Sequence, residues 1–254
     1  MDHQSLTARR FGGLERLYGT PGATNIRDAH VAIVGIGGVG SWAVEALARS
    51  GVGKITLLDF DHIAESNINR QIHAMDNTLG MSKVQAMQQR IAHINPQCDV
   101  CCVDEFVTPE NWPSILSTNV TAVIDACDQI HAKTAMSAWA MHAKPFFITV
   151  GAAGGKRAAH KVDIDDLSLT THDPLLAQLR YRLRREHQAP RDKKKMGIFC
   201  VYSKESVASS VASQPTTGNT SGSLNCQGYG SVVSVTATFG LCAAGWVIDK
   251  ISAL

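Results

Sequence analysis

The feature that most constrains this chain is Gly35-Ile36-Gly37-Gly38-Val39-Gly40, set between a continuous apolar run and a helix-forming stretch. The run His30-Val31-Ala32-Ile33-Val34 reads as a strand buried on both faces. Ser41 to Arg49 reads as a helix, with Gly51 able to end it in a left-handed conformation. Gly35 permits a sharp turn, Gly37 and Gly38 let backbone approach a phosphate, and Gly40 lets the helix pack close to the strand. The helix start adds unpaired N–H groups and positive potential. Asp59 falls about twenty residues on, at the end of a second strand, where a carboxylate can accept from ribose hydroxyls. The motif implies a nucleotide and leaves NAD and ATP both open. No GxxxxGK[ST] sequence occurs, which excludes a P-loop ATPase.

The pattern continues as alternating strands and helices. Lys54 to Phe60, Val100 to Val107, Ala122 to Ala126 and Pro145 to Val150 read as strands. Lys83 to Ile94 and Lys133 to His142 read as helices. The expected fold is therefore α/β, a Rossmann-like, doubly wound, mostly parallel sheet with a C-terminal extension. Residues 1–30 read as an N-terminal arm with a helix over Ala8 to Tyr18, closed by Gly19 and Pro21. Residues 31–150 form the nucleotide-binding half. Residues 151–254 form a second half for substrate binding and dimerisation, with strand candidates at Lys161–Ile164 and Ile198–Tyr202. It also holds a helix over Pro174–Glu186 capped by Asp173, and a Ser/Thr/Gly-rich loop.

Asp61, Asn67, Arg70 and Gln71 follow Asp59, Lys83 opens the next helix, and Asp128 follows the fourth strand at its carboxyl end. Attack at an α-phosphorus needs cations and a metal-binding carboxylate, whereas hydride transfer needs little charge beyond the pyrophosphate. These residues favour ATP with Mg2+.

The seven cysteines include one CxxC pair, Cys98 and Cys101, without the second pair a structural zinc site wants. With no apolar leader over Met1 to Arg10, the thiols read as reduced and the chain as cytoplasmic. No charge occurs from Ser206 to Ile248, and Val232 to Ile248 is apolar. Interrupted by Ser234, Thr236, Thr238, Gly240 and Gly245, it reads as a buried or dimer-interface segment ahead of a membrane contact. Net charge is only +2, so any polyanion surface must be local. Arg180, Arg182, Arg184, Arg185, Arg191, Lys193, Lys194 and Lys195 supply such a cluster, countered nearby by Glu186 and Asp192 alone. Lys156, Arg157 and Lys161 are placed to extend it.

In order, GIGGVGS, LLDFDHIAESNINRQ, GMSKV, INP and VIDACDQ resemble the ATP site of the ubiquitin-activating (ThiF-like) superfamily. By that resemblance Asp59 binds the ribose, Asn67, Arg70 and Lys83 the phosphates, and Asp128 the magnesium, while Asp125 is structural. The resemblance also implies a homodimer and an N-terminal arginine reaching across it, with Arg10 and Arg16 as candidates. RRFGGLERLYG, THDPLLAQLRYRLRR and VYSKE resemble one subfamily, the tRNA threonylcarbamoyladenosine dehydratases. This implies adenylation of the threonyl carboxylate and ring closure on the anticodon arm of tRNA, with a sulfur-relay protein as an open further partner. The alternative is an adenylating activator of a ubiquitin-like or sulfur-carrier protein. That would call on Cys226 as its reactive thiol. A nicotinamide-dependent oxidoreductase and a non-catalytic scaffold are more distant rivals.

Overall fold

The computed structural model describes residues 3–191, 194–207 and 229–254. Seven strands are described: β1 His30–Val34, β2 Lys54–Leu58, β3 Asp99–Val103, β4 Ala122–Asp125, β5 Phe146–Val150, β6 Val162–Asp166 and β7 Phe199–Ser203. They form one sheet in the order β3-β2-β1-β4-β5-β7-β6. Every pairing is parallel except that of β6 with β7. The helices are α1 His3–Asp28, α2 Gly40–Arg49, α3 Lys83–Ile94, α4 Ile130–Ala140, α5 Pro174–Glu186 and α6 Val233–Ser252.

Alternation along each strand builds two apolar layers. Val31, Ile33, Ile55, Leu57, Ile124 and Ile148 face a layer formed with α2, α3, α6 and Ile26 of α1. Ala32, Val34, Leu58, Val123, Phe147 and Cys200 face α4 and α5. Helices on both faces make this the expected doubly wound sheet. The order turns at β1, with β2 on one side and β4 on the other, so a crevice opens at the carboxyl ends of β1 and β4.

The halves expected at residues 31–150 and 151–254 share this sheet, because β7 pairs with β5. The arm also packs onto it: α1 breaks at Gly19 (φ 73°, ψ 166°), resumes with Pro21, and buries Ile26 in the core. Asp173 caps α5 by accepting from Leu176 N–H at 3.0 Å, a bond worth about 1 kcal/mol. The apolar stretch from residue 232 forms most of α6. One face of it is buried, with Val235, Phe239, Ala243, Val247 and Ile251 at 0 % exposure. Among the described residues no helix is long and apolar enough to cross a membrane.

Candidate active site

The glycine loop is locked from both sides. Gly35 sits at φ +86°, and a Cβ there would stand 2.9 Å from Ala126 O and Cys127 N, so the loop lies directly on the turn after β4. A Cβ on Gly40 would collide with Gly35 O. Ile36 N–H donates to Asp59 Oδ2 at 2.5 Å, which ties the loop to the end of β2. The N–H groups of Gly37 and Gly38 have no acceptor among the described residues, and both glycines line the cavity above. Backbone donors at a helix start suit an anion.

That cavity measures about 440 Å³. Gly35, Gly37, Gly38, Asp59, Asp61, Asn67, Arg70, Gln71, Lys83 and Asp128 all line it; Gly40 does not, and serves the close packing of α2 instead. Asp59 Oδ1 accepts Asp61 N–H at 2.8 Å. Burial pushes the Asp59 carboxyl above its usual range, opposed by Lys83 and by the two backbone donors. Lys83 is 5 % exposed, with Nζ 2.6 Å from Asp61 Oδ2 and 3.8 Å from Asp59 Oδ1. Its charge is thus shared with two carboxylates. Arg70 lies over the glycine loop, its Cγ 3.1 Å from where a Cβ on Gly38 would stand. Its Nη1 donates to Ser66 O and Asn69 Oδ1, and Nε and Nη2 make no bond among the described residues. Asn67 Oδ1 accepts Ala64 N–H. Gln71 is buried, and its Oε1 has no partner among the described residues.

No three His, Cys, Asp or Glu side chains among the described residues are grouped to hold a metal by themselves. Magnesium takes one or two carboxylates and completes its shell with water and phosphate oxygens. Asp128, exposed at the cavity wall and bonded to nothing among the described residues, meets that requirement. Asp125, three residues earlier, is 0 % exposed. Its Oδ2 accepts from Lys133 Nζ at 2.7 Å and Thr149 Oγ1 at 2.6 Å, and its Oδ1 accepts Cys127 N–H at 3.2 Å.

Several lining residues had been given no role by the motifs: Phe60, Phe106, Cys127, Gly151–Gly154, Val207, Tyr229 and Thr236. Phe60, Cys127 and Gly151 each fall within two residues past the end of a parallel strand. Strand position alone therefore points to them. Nothing local marks Tyr229, which arrives from the far end of the chain.

The basic cluster divides. Arg180 departs from expectation: it is half-buried, and its Nη1 lies 2.9 Å from Leu167 O and 3.0 Å from both Thr170 O and Thr170 Oγ1, so it ties down the loop before α5. The Lys156 expectation also fails. It is 2 % exposed, donating to Glu205 O at 2.8 Å and His172 O at 3.2 Å, and burial lowers its pKa. Arg182 pairs with Glu186 at 3.7 Å, and Arg185 pairs with Glu186 and lies over the Tyr181 ring. Arg184 donates to Pro190 O at 3.3 Å, while Lys194 and Lys195 are exposed. Lys193 and Cys226 lie outside the described residues. Neither Arg10 nor Arg16 lines the cavity; Arg10 donates to Ile94 O at 2.6 Å, at the end of α3.

A tRNA threonylcarbamoyladenosine dehydratase of Haemophilus influenzae is 43 % identical over 246 residues, covering 96 % of this chain and 93 % of the relative. The crystal structure of the Escherichia coli tRNA N6-threonylcarbamoyladenosine dehydratase in complex with ATP superposes with a TM-score of 0.87 at 41 % identity. The same protein in complex with AMP gives 0.86 at 42 %. Each covers 97 % of this chain and 95 % of the other. The model of the ThiF family matches residues 11–254, from the first helix through α6, and with that span this chain belongs to the ThiF family.

Proposed function

We propose that this chain is a cytoplasmic, ATP-dependent tRNA threonylcarbamoyladenosine dehydratase. The observation that carries the reading is the meeting, in one cavity, of the glycine loop, Asp59, Arg70, Lys83 and Asp128, in a chain similar over nearly its whole length to dehydratases of that name.

The substrate's threonyl carboxylate attacks the α-phosphorus of ATP, the bond to pyrophosphate breaks, and an acyl-adenylate forms. The ureido oxygen of the same side chain then attacks the activated carbonyl carbon. The bond to AMP breaks, the ureido nitrogen loses its proton, and a five-membered ring closes. The attacking oxygen is already tethered, so the second step needs orientation and no second encounter. In this chain Asp59 holds the ribose, the N–H groups of the glycine loop with Asn67, Arg70 and Gln71 hold phosphates, and Lys83 bridges both. Magnesium on Asp128 would neutralise phosphate charge. No protein nucleophile is required. Cys127, the thiol in the cavity wall, stays neutral, because burial and the adjacent Asp125 carboxylate raise its pKa well above the ordinary range. The anticodon arm lies against Arg182, Arg184, Arg185, Lys194 and Lys195, and the enzyme works as a homodimer.

Asp128→Ala tests the centre of this reading. ATP–pyrophosphate exchange with modified tRNA should fall by about two orders of magnitude. The melting temperature should hold, since Asp128 is exposed. Near wild-type exchange would remove Asp128 from the site.

A further inference from the structure

A dehydratase of this kind must hold two adenines at once, that of ATP and the modified adenine of the tRNA. The cavity is long enough to keep them apart. Neighbouring strands lie about 4.8 Å apart. The ends of β2 and β5, three steps apart in the order β2-β1-β4-β5, are therefore separated by about 14 Å. Charge gathers toward the β2 end, with Asp59, Asp61 and Lys83, and two exposed aromatic rings stand beside it. These are Phe60 and Phe106, with centroids 4.9 Å apart. The β5 end is different. Its wall is Gly151–Gly154, Pro174, Leu175, Val207 and Tyr229, none of them charged, with Val207 and Tyr229 lying against Gly155 just past β5.

Tyr229 is the one aromatic side chain on that uncharged wall among the described residues, and it is 46 % exposed. Its hydroxyl makes no hydrogen bond among the described residues. The backbone of the two residues that follow it, by contrast, is held. Gly155 N–H donates to Gly230 O at 3.0 Å, and Asn69 Nδ2 donates to Ser231 O at 3.1 Å. Gly155 sits at φ +72°, and a Cβ there would stand 2.8 Å from Val207 Cγ1 and 3.4 Å from Tyr229 Cβ. The loop after β5 is thus fitted against the base of the Tyr229 side chain, and a side chain carried on a held segment loses less freedom on contact with a ligand.

We propose that Tyr229 is the platform on which the modified adenine of the tRNA stacks, so that the β2 end of the cavity takes the nucleotide and the β5 end takes the base. The inference rests on the dehydratase reading. A wall of uncharged side chains with one aromatic face suits a purine and repels nothing in an uncharged ureido group. Asp128 follows β4, the neighbour of β5. A base over β5 therefore sets its carboxylate-bearing arm beside the residue assigned to the metal.

The test compares Tyr229→Phe, Tyr229→Leu and Tyr229→Ala in steady-state dehydration of an anticodon stem-loop carrying threonylcarbamoyladenosine. Mg-ATP binding is measured in parallel by calorimetry. Leucine keeps apolar bulk against Gly155 and removes the aromatic face. The expected result is a KM for the stem-loop raised about tenfold in the Leu and Ala variants and restored by Phe. Mg-ATP affinity should stay within about twofold. A wild-type KM in the Leu variant overturns the inference alone. A loss of Mg-ATP affinity in step with KM overturns it too, by moving Tyr229 to the nucleotide. A wild-type enzyme that binds Mg-ATP and dehydrates nothing overturns the dehydratase reading, and the inference with it.

Discussion

His73 is 1 % exposed, and neither ring nitrogen has a partner among the described residues. Burial, aided by the charges of Lys83 and Arg90, lowers its pKa from 6.5 to about 4. Its folded value lies below its unfolded one, so the unfolded chain takes up the proton first as pH falls. Stability is full above pH 6.5 and drains away toward pH 4. Between pH 7 and pH 5 this one ring should cost about 2 kcal/mol. Urea denaturation at the two pH values, with and without His73→Gln, checks it; an identical pH response in the variant would show the ring to be uninvolved. At this scale the sequence was legible where a motif fixes the backbone, as in Gly35 to Gly40 with Asp59. It was opaque where a long polar side chain chooses its own partner. The sequence grouped Arg180 with a local basic cluster, but could not show that Arg180 reaches the carbonyls of Leu167 and Thr170. Nor could it show Lys156 turned in among backbone carbonyls.

The elements around the cavity are joined by a buried network at the ends of β4 and β5 and the start of α4. Asp125 and Lys133 form an ion pair at 2.7 Å with both side chains at 0 % exposure, and Thr149 completes it. Burial opposes charge on Lys133, and the Asp125 carboxylate outweighs it, so the lysine pKa is raised. Removing one partner strands a charge. Lys133→Met should lose about 3–5 kcal/mol, while Asp125→Asn with Lys133→Met should recover most of it, because asparagine can still bond Cys127 N–H and Thr149. Urea denaturation of the single and double variants decides; equal losses would mean packing, and not charge, dominates. Element bounds were readable wherever punctuation was strong. The helices Lys83–Ile94 and Pro174–Glu186 stand as Asn95-Pro96 after the first and Asp173 before the second imply. The strand expected over Val100 to Val107 covers Asp99–Val103, because its partner β2 ends at Leu58, opposite Val103. The antiparallel entry of β6 had no signature, since side-chain alternation does not encode strand direction.

For the whole molecule, net charge is only +2, so attraction to tRNA must come from where the charge sits. Neutralising Arg182, Arg184, Arg185, Lys194 and Lys195 together should weaken tRNA binding. It should also flatten the plot of log affinity against log salt by roughly 0.8 for each phosphate that is no longer neutralised. Filter binding across a salt series reads both; an unchanged slope would discard this surface. Arg180 is left out because it holds a loop. The strand order carries one more consequence, for how the molecule is made. On a ribosome, β3-β2-β1-β4-β5 can pair as each strand emerges, but β6 reaches the sheet only through β7, which is synthesised after it. The face of β4 and β5 bearing Ile124, Ile148 and Val150 waits longer still, for α6 to be translated. A nascent chain holding a finished glycine loop would therefore still show bare hydrocarbon to solvent until α6 had arrived.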